Sequence, residues 1–192
     1  KIKQTVNTDN TGYGTFEFKC KPTLWSPENP KLYVVRLTSD TDTVEDEVGL
    51  RTIETRSKEI YLNGKKLFCR GISIHEEAPI RSGRAWSVED ATVLLGWAKE
   101  MNCNFVRLAH YQHNENMVRT AERMGLLVWS EIPCYWTIQW ENEGTLENAC
   151  GQIEAMVGRD KNRTNIIIWS IANEKHVSEP RNLILRNLDD KV

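Results

Sequence analysis

The stretch Asn165-Ile166-Ile167-Ile168-Trp169-Ser170-Ile171-Ala172-Asn173-Glu174 joins an apolar run to an amide and a carboxylate. Isoleucine and tryptophan favour strands, and an unbroken apolar run is typical of a strand covered on both faces by helices in a parallel sheet. In α/β barrels the catalytic groups lie at the carboxyl ends of the strands. We therefore expect chemistry at Asn173 and Glu174. The alternative is that Glu174 only begins the next loop.

The rest of the chain alternates strands and helices from about residue 60 onward. Strands are expected at 67–75, 105–110, 126–132 and from residue 166, and helices after the cap at 87–90 and at 114–124, 145–162 and 181–192. Four β-α units with right-handed crossovers make half of a (β/α)8 barrel, which needs roughly 250 residues. An open doubly wound sheet is the structural alternative, but the first crossover lacks a G-x-G-x-x-G run.

Three further expectations concern the strands near the start of the chain, the buried face of the first helix, and the burial of tryptophans and histidines. Alternating residues at 14–20 and 32–37, between turns rich in proline, asparagine and aspartate, predict antiparallel strands. The first helix is expected to place Val93, Leu94, Trp97 and Met101 on one face. Trp86, Trp97 and Trp129 are expected in the core or between helix and sheet, and His113 and His176 at the surface.

Composition narrows the classes of function. The 192 residues carry a formal net charge of -2, with a pI near 6.1, so nothing drives binding to nucleic acid or to an anionic membrane. No apolar run approaches the roughly 20 residues that span a bilayer, and no targeting segment is visible at Lys1. We expect a soluble chain, and the sequence does not indicate its compartment. The five scattered cysteines form no C-x-x-C pair and predict no disulfide framework.

Three motifs occur in order along the chain. They are Arg-Gly-Ile-Ser-Ile-His-Glu at 70–76, Asn-Phe-Val-Arg-Leu-Ala-His-Tyr at 104–111, and Asp-Lys-Asn-Arg-Thr at 160–164 followed by the strand that ends in Asn173-Glu174. Together they resemble glycoside hydrolase family 2, which includes β-galactosidases, β-glucuronidases and β-mannosidases. The sequence departs from the family pattern at Ser73, Gln112 and Asn165.

The resemblance implies a domain arrangement. Residues 1–54 are expected to form the C-terminal part of an immunoglobulin-like β-sandwich, and residues 55–192 the N-terminal half of the catalytic (β/α)8 barrel. We expect the chain to be a fragment, because the family's nucleophilic glutamate lies on the seventh barrel strand. The fragment itself is then expected to have no useful turnover, and to self-associate through its uncovered sheet edges.

The resemblance also implies roles for individual residues. Glu174 would be the catalytic acid/base, and Asn173 would bind the sugar 2-hydroxyl. His75 and His110 would contact the sugar, although a lone histidine at a strand end is more often structural. Trp136, in the loop after the third strand, would stack on a sugar face or else pack on the barrel rim.

Two charged residues complete the expected site. Arg107 would support the nucleophile; with that partner missing from this chain, its guanidinium is expected to be exposed or rearranged. Glu131 would hydrogen-bond site residues or serve in structural pairing. Residues 131–136 lack the ligands that hold magnesium in some family members, so neither a metal nor a cofactor is expected.

These observations predict a retaining exo-β-glycosidase that hydrolyses terminal β-D-glycosidic bonds, with β-galactosidase as the first expectation. β-Glucuronidase and β-mannosidase are the alternatives within the family. A noncatalytic carbohydrate-binding module is the alternative from another class. The expected partner is a carbohydrate substrate in each case.

Overall fold

The computed structural model describes residues 1–136, 138–139 and 141–173. An antiparallel pair comes first, followed by a three-stranded antiparallel sheet and then by alternating strands and helices. In chain order the elements are β1 (Tyr33–Thr38), β2 (Thr43–Val48), β3 (Ile53–Arg56), β4 (Glu59–Leu62), β5 (Lys65–Leu67), β6 (Gly71–Ile74), α1 (Val88–Glu100), β7 (Phe105–Leu108), α2 (Glu115–Arg123), β8 (Leu127–Glu131), α3 (Glu143–Asp160) and β9 (Ile166–Ser170).

The last four strands form one parallel sheet in the order β6-β7-β8-β9. Each strand lies beside the one that precedes it in sequence, and a helix crosses over between each pair, as in successive units of a (β/α)8 barrel. The predicted architecture, the first half of such a barrel preceded by part of an immunoglobulin-like sandwich, is therefore confirmed. The helix expected at 181–192 lies outside the described residues.

The helix α1 begins where the sequence predicts, whereas α3 begins at Glu143, two residues before the expected start. Ser87 accepts a hydrogen bond from the Asp90 backbone N–H at 3.1 Å, and the Asp90 carboxylate accepts one from the Ser87 N–H, which together make a capping box. The buried face of α1 was expected one residue out of phase. The helix buries Ala91, Leu95 and Ala98, and of the expected face Leu94 packs, partly buried, against the same core.

Two of the expected buried tryptophans are exposed. Trp97 is 47% exposed and Trp86 62% exposed, so the prediction that they lie in the core is wrong. Trp97 falls on the solvent face of α1, and Trp86 lies in the loop that precedes this helix. Trp129 differs, because it lies on β8 with its ring beside the Arg107 guanidinium.

The predicted strand at 14–20 is also absent. Phe16 and Phe18 stack on each other with ring centroids 5.8 Å apart, yet both rings remain half exposed. A strand needs a hydrogen-bonded neighbour, and in the described part of the chain no segment pairs with these residues. Alternation alone was therefore insufficient, whereas the 32–37 segment does pair, as β1, with β2.

The apolar core has two parts between helices and sheet and a third at the amino ends of the parallel strands. In this third cluster Trp25 and Leu62, from the segments before the parallel sheet, pack against Leu127 of β8. The indole Nε1 of Trp25 donates to the backbone oxygen of Glu122 at 3.0 Å. The segments before β6 thus cover the floor of the half-barrel.

Ion pairs reinforce the contact between the segments before β6 and the half-barrel. The Arg163 guanidinium pairs with Asp46 on β2 and with Glu122 on α2, and donates to the Glu47 backbone oxygen at 3.0 Å. Burial raises the pKa of Glu122 above its usual value. Arg51 donates to the backbone oxygens of residues 164 and 166 at the start of β9. The domain boundary at residue 54 stays a prediction, and it falls within β3.

Within the part of the chain that the structure describes, none of the helices combines the length and apolar character that crossing a lipid bilayer requires.

Candidate active site

The carboxyl ends of the four parallel strands carry a group of polar side chains. His75 follows β6, His110 follows β7, Glu131 ends β8 and Asn173 follows β9. Parallel strands present their carboxyl ends at one edge of the sheet, so these residues share that edge. The rings of His75 and His110 meet edge to face, with centroids 5.2 Å apart.

Arg107 forms an ion pair with Glu131. Its Nε donates to Oε2 at 3.1 Å, and its Nη2 lies 2.8 Å from Oε2 and 3.0 Å from Oε1. The guanidinium is only 19% exposed and the carboxylate is fully buried. The expectation of an exposed or rearranged arginine is wrong, because Glu131 on the neighbouring strand supplies the anionic partner that a buried guanidinium requires.

The same carboxylate orients His110. The imidazole Nδ1 lies 2.7 Å from the Glu131 Oε1. A carboxylate paired with a guanidinium accepts hydrogen bonds, so we assign the Nδ1 proton to His110. The Nε2 atom is left for other partners. Glu131 thereby fixes the positions of two side chains that the sequence assigned separately.

Asn173 is held through its backbone and its amide. The Asn173 N–H donates to the Cys134 oxygen at 2.8 Å, in an isolated parallel bridge that pairs Tyr135 with Asn173. Its Oδ1 accepts from the Arg107 Nη2 at 2.7 Å, which turns the Nδ2 donors away from the guanidinium. Glu174 follows directly in the sequence and lies outside the described residues, as does His176.

Aromatic rings flank the cluster. The Arg107 guanidinium carbon lies 4.7 Å from the Trp129 ring centroid, a cation–π contact beneath the site. Tyr135 lies 5.9 Å from the His110 ring and 5.5 Å from the Trp136 ring. Trp136 is mostly exposed, with φ 56°, a left-handed conformation that bulky residues rarely adopt. Its indole is therefore accessible beside Tyr135.

Sequence reasoning missed the role of Glu76. This carboxylate is buried, accepts from the Arg84 Nε at 2.8 Å, and also accepts from the Asn114 backbone N–H at the start of α2. Its own N–H donates to the Tyr111 hydroxyl at 3.2 Å. Hydrogen bonding to Glu76 raises the pKa of Arg84. The signal in the sequence was the doubled acid Glu76-Glu77 directly after His75.

His113 is buried, so its assignment to the surface is wrong. Its Nε2 lies 2.9 Å from the Ala109 backbone oxygen, and its ring stacks on Tyr111 with centroids 5.2 Å apart. Because burial penalises the charged form, the pKa of His113 is lowered. A carbonyl oxygen only accepts, so Nε2 carries the proton of the neutral ring.

The cluster has the properties of a binding edge for a polyhydroxylated ligand. The positive charge of Arg107 and the negative charge of Glu131 balance each other. The Asn173 amide and the His110 imidazole are each oriented by a hydrogen bond to one member of this pair. Such preorganised groups bind hydroxyls without the free-energy cost of reorienting their side chains. Among the described residues, no group of three histidine, cysteine or acidic side chains is arranged to hold a metal ion.

Two family models match this chain. The model described as glycosyl hydrolases family 2, TIM barrel domain, matches residues 53–189, and the model described as glycosyl hydrolases family 2 matches residues 1–51.

Curated relatives include a putative β-glucuronidase of Formosa agariphila and a β-galactosidase of Psychromonas ingrahamii. The first is 33% identical over 175 residues, which cover 88% of this chain and 21% of the relative. The second is 36% identical over 165 residues, which cover 80% of this chain and 16% of the relative. The chain thus spans about a fifth of the length of these relatives.

Solved structures share the same fold. A GH2 β-galacturonidase from Eisenbergiella tayi, bound to galacturonate, has a TM-score of 0.86 at 29% identity, over 93% of this chain and 33% of that one. The apo structure of Bacteroides uniformis β-glucuronidase 3 has a TM-score of 0.74 at 30% identity, over 88% of this chain and 23% of that one.

Proposed function

This chain belongs to glycoside hydrolase family 2, and from that premise we propose that its protein is a retaining exo-β-glycosidase acting on terminal β-D-glycosidic bonds. The observation that carries the proposal is the Arg107–Glu131–His110–Asn173 cluster at the carboxyl edge of the sheet, directly before Glu174. Such an edge is where barrel enzymes hold their catalytic groups.

Glu174 is the proposed acid/base. It gives its proton to the leaving oxygen as the sugar acquires oxocarbenium character, and then takes a proton from the water that hydrolyses the glycosyl-enzyme. The nucleophile that forms this intermediate is the second carboxylate of the family, expected on the seventh barrel strand. We assign no residue of this chain, in residues 1–54 or in the proposed half-barrel at 55–192, as the nucleophile.

Asn173 is the proposed partner of the sugar 2-hydroxyl. Support comes from its Oδ1, which is occupied by Arg107, so that the Nδ2 hydrogens are the groups it offers to a ligand. A 2-hydroxyl held in this way is oriented to donate its own hydrogen, and hydrogen bonds at the 2-hydroxyl strengthen as the transition state develops. Arg107, which is held in place by Glu131, is proposed to support the nucleophile.

His75, His110 and Trp136 are the proposed contacts to the remainder of the sugar. The two imidazoles lie in contact with each other, and the Trp136 indole is exposed beside Tyr135. Imidazole nitrogens bind hydroxyls and an indole face packs against the apolar face of a pyranose.

A β-galactoside is the first substrate we propose. A β-glucuronoside is the second, favoured by the relatives and solved structures that carry the name β-glucuronidase. A β-mannoside is a further alternative within the family. A noncatalytic carbohydrate-binding module is the alternative outside it, and it predicts sugar binding without dependence on Glu174.

The test is the Glu174→Gln variant of the full-length protein, with the exposed Glu147→Gln as the matched control. The glutamine cannot donate a proton, so hydrolysis of alkyl glycosides should slow by about 10²- to 10⁴-fold. Dinitrophenyl glycosides need little protonation, so their first, glycosylating step should be nearly unaffected. Equal losses on both kinds of substrate would exclude the acid role.

A further inference from the structure

Trp129 lies on β8 but outside the apolar core. Its side chain is partly buried, yet among the described residues none of the three apolar clusters includes it. Leu127, two residues earlier on the same face of the strand, does belong to one of these clusters. Packing within the apolar core therefore does not account for the position of the Trp129 ring.

The ring contacts the Arg107 guanidinium instead. Arg107 and Trp129 are direct partners in the register of β7 and β8, so their side chains leave neighbouring strands on the same face of the sheet. The guanidinium carbon lies over the ring, 4.7 Å from its centroid. Because the arginine side chain is mostly buried, water screens this cation–π contact little.

The hydrogen bonds of Arg107 hold one edge of its guanidinium. Nε and Nη2 donate to the Glu131 carboxylate, and Nη2 also donates to the Asn173 Oδ1. These bonds fix where the two nitrogens lie. They still tolerate a tilt of the guanidinium plane about the line that joins the two nitrogens, because the directions from which an oxygen accepts are broad. A ring packed against the flat face restrains that tilt.

The tilt determines the position of the third nitrogen of Arg107. Among the residues that the structure describes, Nη1 has no hydrogen-bond acceptor, so its two hydrogens are available to a further group. A tilt about the line through Nε and Nη2 moves Nη1 while it leaves the other two nitrogens in place. The contact with Trp129 is therefore the one that sets the direction of the Nη1 hydrogens.

Resting on the function proposed above, we infer that Trp129 is a positioning residue of the active site. Its ring sets the tilt of the Arg107 guanidinium and thereby directs the Nη1 hydrogens to the nucleophilic carboxylate that Arg107 supports. Glu131 holds the edge of the guanidinium and Trp129 holds its face, so two residues of β8 fix its orientation. Such precision matters because a displacement of about 1 Å in an active site costs as much as 10²-fold in rate.

The aromatic face of Trp129, rather than its N–H group, provides this contact. The indole Nε1 is buried and has no hydrogen-bond partner within the described part of the chain. Phenylalanine at this position therefore forgoes no hydrogen bond to those residues, and it keeps an aromatic face for the cation. Methionine fills much of the same space with a flexible apolar side chain but offers no aromatic face.

The experiment measures kcat/KM of the full-length enzyme on a dinitrophenyl β-glycoside of the sugar that it hydrolyses best. This leaving group needs little protonation, so kcat/KM reports the attack of the nucleophile and not the action of Glu174. Trp129→Met should lower kcat/KM about ten- to thirtyfold. Trp129→Phe should stay within about threefold of the parent enzyme.

Trp86→Met is the matched control. The exposed Trp86 ring also lies beside a guanidinium, that of Arg81 at 6.0 Å, but in the loop before α1 and outside the cluster of the candidate site. Its replacement removes the same kind of contact and should leave kcat/KM unchanged.

The Arg107→Gln background separates positioning from support of the strand. Because Trp129 acts through the guanidinium, Trp129→Met should cost nothing further once the guanidinium is removed, and the double variant should match Arg107→Gln within about twofold. A tryptophan that only supports β8 would lower kcat/KM by the same factor in both backgrounds. Each variant is assayed well below its own unfolding temperature.

Parent-like kcat/KM in Trp129→Met, equal losses in the Met and Phe variants, or full additivity with Arg107→Gln would overturn the positioning role. If Trp129→Met does not fold, Trp129→Leu takes its place, and a loss above about tenfold in Trp129→Phe contradicts the role of the ring face in either case. The parent enzyme tests the proposed function separately. Absence of turnover on every aryl β-glycoside would refute that function, whereas a parent-like Trp129→Met refutes only the positioning role.

Discussion

Arg107 reaches across strand β8 to donate from Nη2 to the side-chain oxygen of Asn173, 2.7 Å away and 66 residues further along the chain. This bond selects the orientation of the amide in which Oδ1 faces the guanidinium and Nδ2 faces away from it. The side chain of Asn173 therefore offers a ligand its two Nδ2 hydrogens.

The Asn173→Asp variant of the full-length protein tests that orientation. The carboxylate still accepts from Arg107 but has no hydrogen to give, so kcat should fall by about 10²- to 10³-fold on an ordinary glycone. On a 2-deoxy glycone the loss should be far smaller. A new charge acting only on Glu174 would instead slow both substrates alike. Asn148→Asp, on the exposed face of α3, is the control.

The Glu131→Gln variant should destabilise the protein. Removing one member of a buried pair leaves the other charge unmatched, and because Arg107 retains some exposure we expect a loss of about 3 kcal/mol, the low end for such pairs. Urea unfolding measures it. In the double variant with Arg107→Gln the losses should be less than additive, and simple additivity would show that the pair is not coupled.

The sequence predicted the parallel sheet because strand and helix patterns alternate from about residue 60 and because the run at 166–169 is continuously apolar. It also brought His75, His110 and Asn173 to one edge, since topology alone decides where strand ends lie. Side-chain partners across strands were harder to predict. The register that lets Glu131 meet Arg107 depends on the β7–β8 pairing, which no local pattern reveals.

Burial was predicted least well for single side chains. Trp86 was expected in the core and His113 at the surface, and each lies in the opposite environment. The indole of Trp86 is exposed in a loop, whereas the imidazole of His113 is buried because Tyr111 and a backbone oxygen surround it. These contacts are made by the folded loops, so periodicity carries no trace of them.

His113 should make stability depend on pH. Burial lowers its pKa, so below about pH 6.5 the unfolded chain binds a proton that the folded chain refuses. The stability contributed by the neutral ring is full above pH 6.5 and is lost as pH falls toward the folded pKa, at up to about 1.4 kcal/mol per pH unit.

The His113→Gln variant removes the titration while keeping a donor for the Ala109 oxygen. Its free energy of unfolding should change less between pH 7.5 and 5.5 than that of the parent protein. Denaturation in urea at the two pH values provides the comparison. Parallel pH profiles for the two proteins would count against a depressed pKa.

Gly125→Ala should destabilise the contact between the half-barrel and the segment before β1. Gly125 has φ +72°, and an added Cβ would lie 2.4 Å from the Pro27 oxygen. The left-handed backbone alone costs about 1–2 kcal/mol with a side chain. Gly158→Ala, in α3 with no atom near the added Cβ, should stabilise by about 0.5–1 kcal/mol. Thermal unfolding of both variants tests the contrast.

The polypeptide of residues 1–192, prepared by itself, is proposed to self-associate. Among the described residues, β6 and β9 each pair with one strand only, and an unpaired apolar edge readily adds a strand from another copy. Sedimentation at micromolar concentration should show species larger than a monomer. A monodisperse monomer with slow amide exchange along β9 would contradict the proposal.

The contact between Trp25 and Glu122 has a consequence for engineering. The Trp25 indole, from the segment before β1, completes the floor of the barrel by binding the Glu122 backbone oxygen. In the other direction, Arg163 of the barrel pairs with Asp46 of β2. A crossover point placed between these residues in directed recombination would join surfaces that never evolved together. Chimeras that exchange the upstream module should therefore take Trp25, Asp46, Glu122 and Arg163 from the same parent.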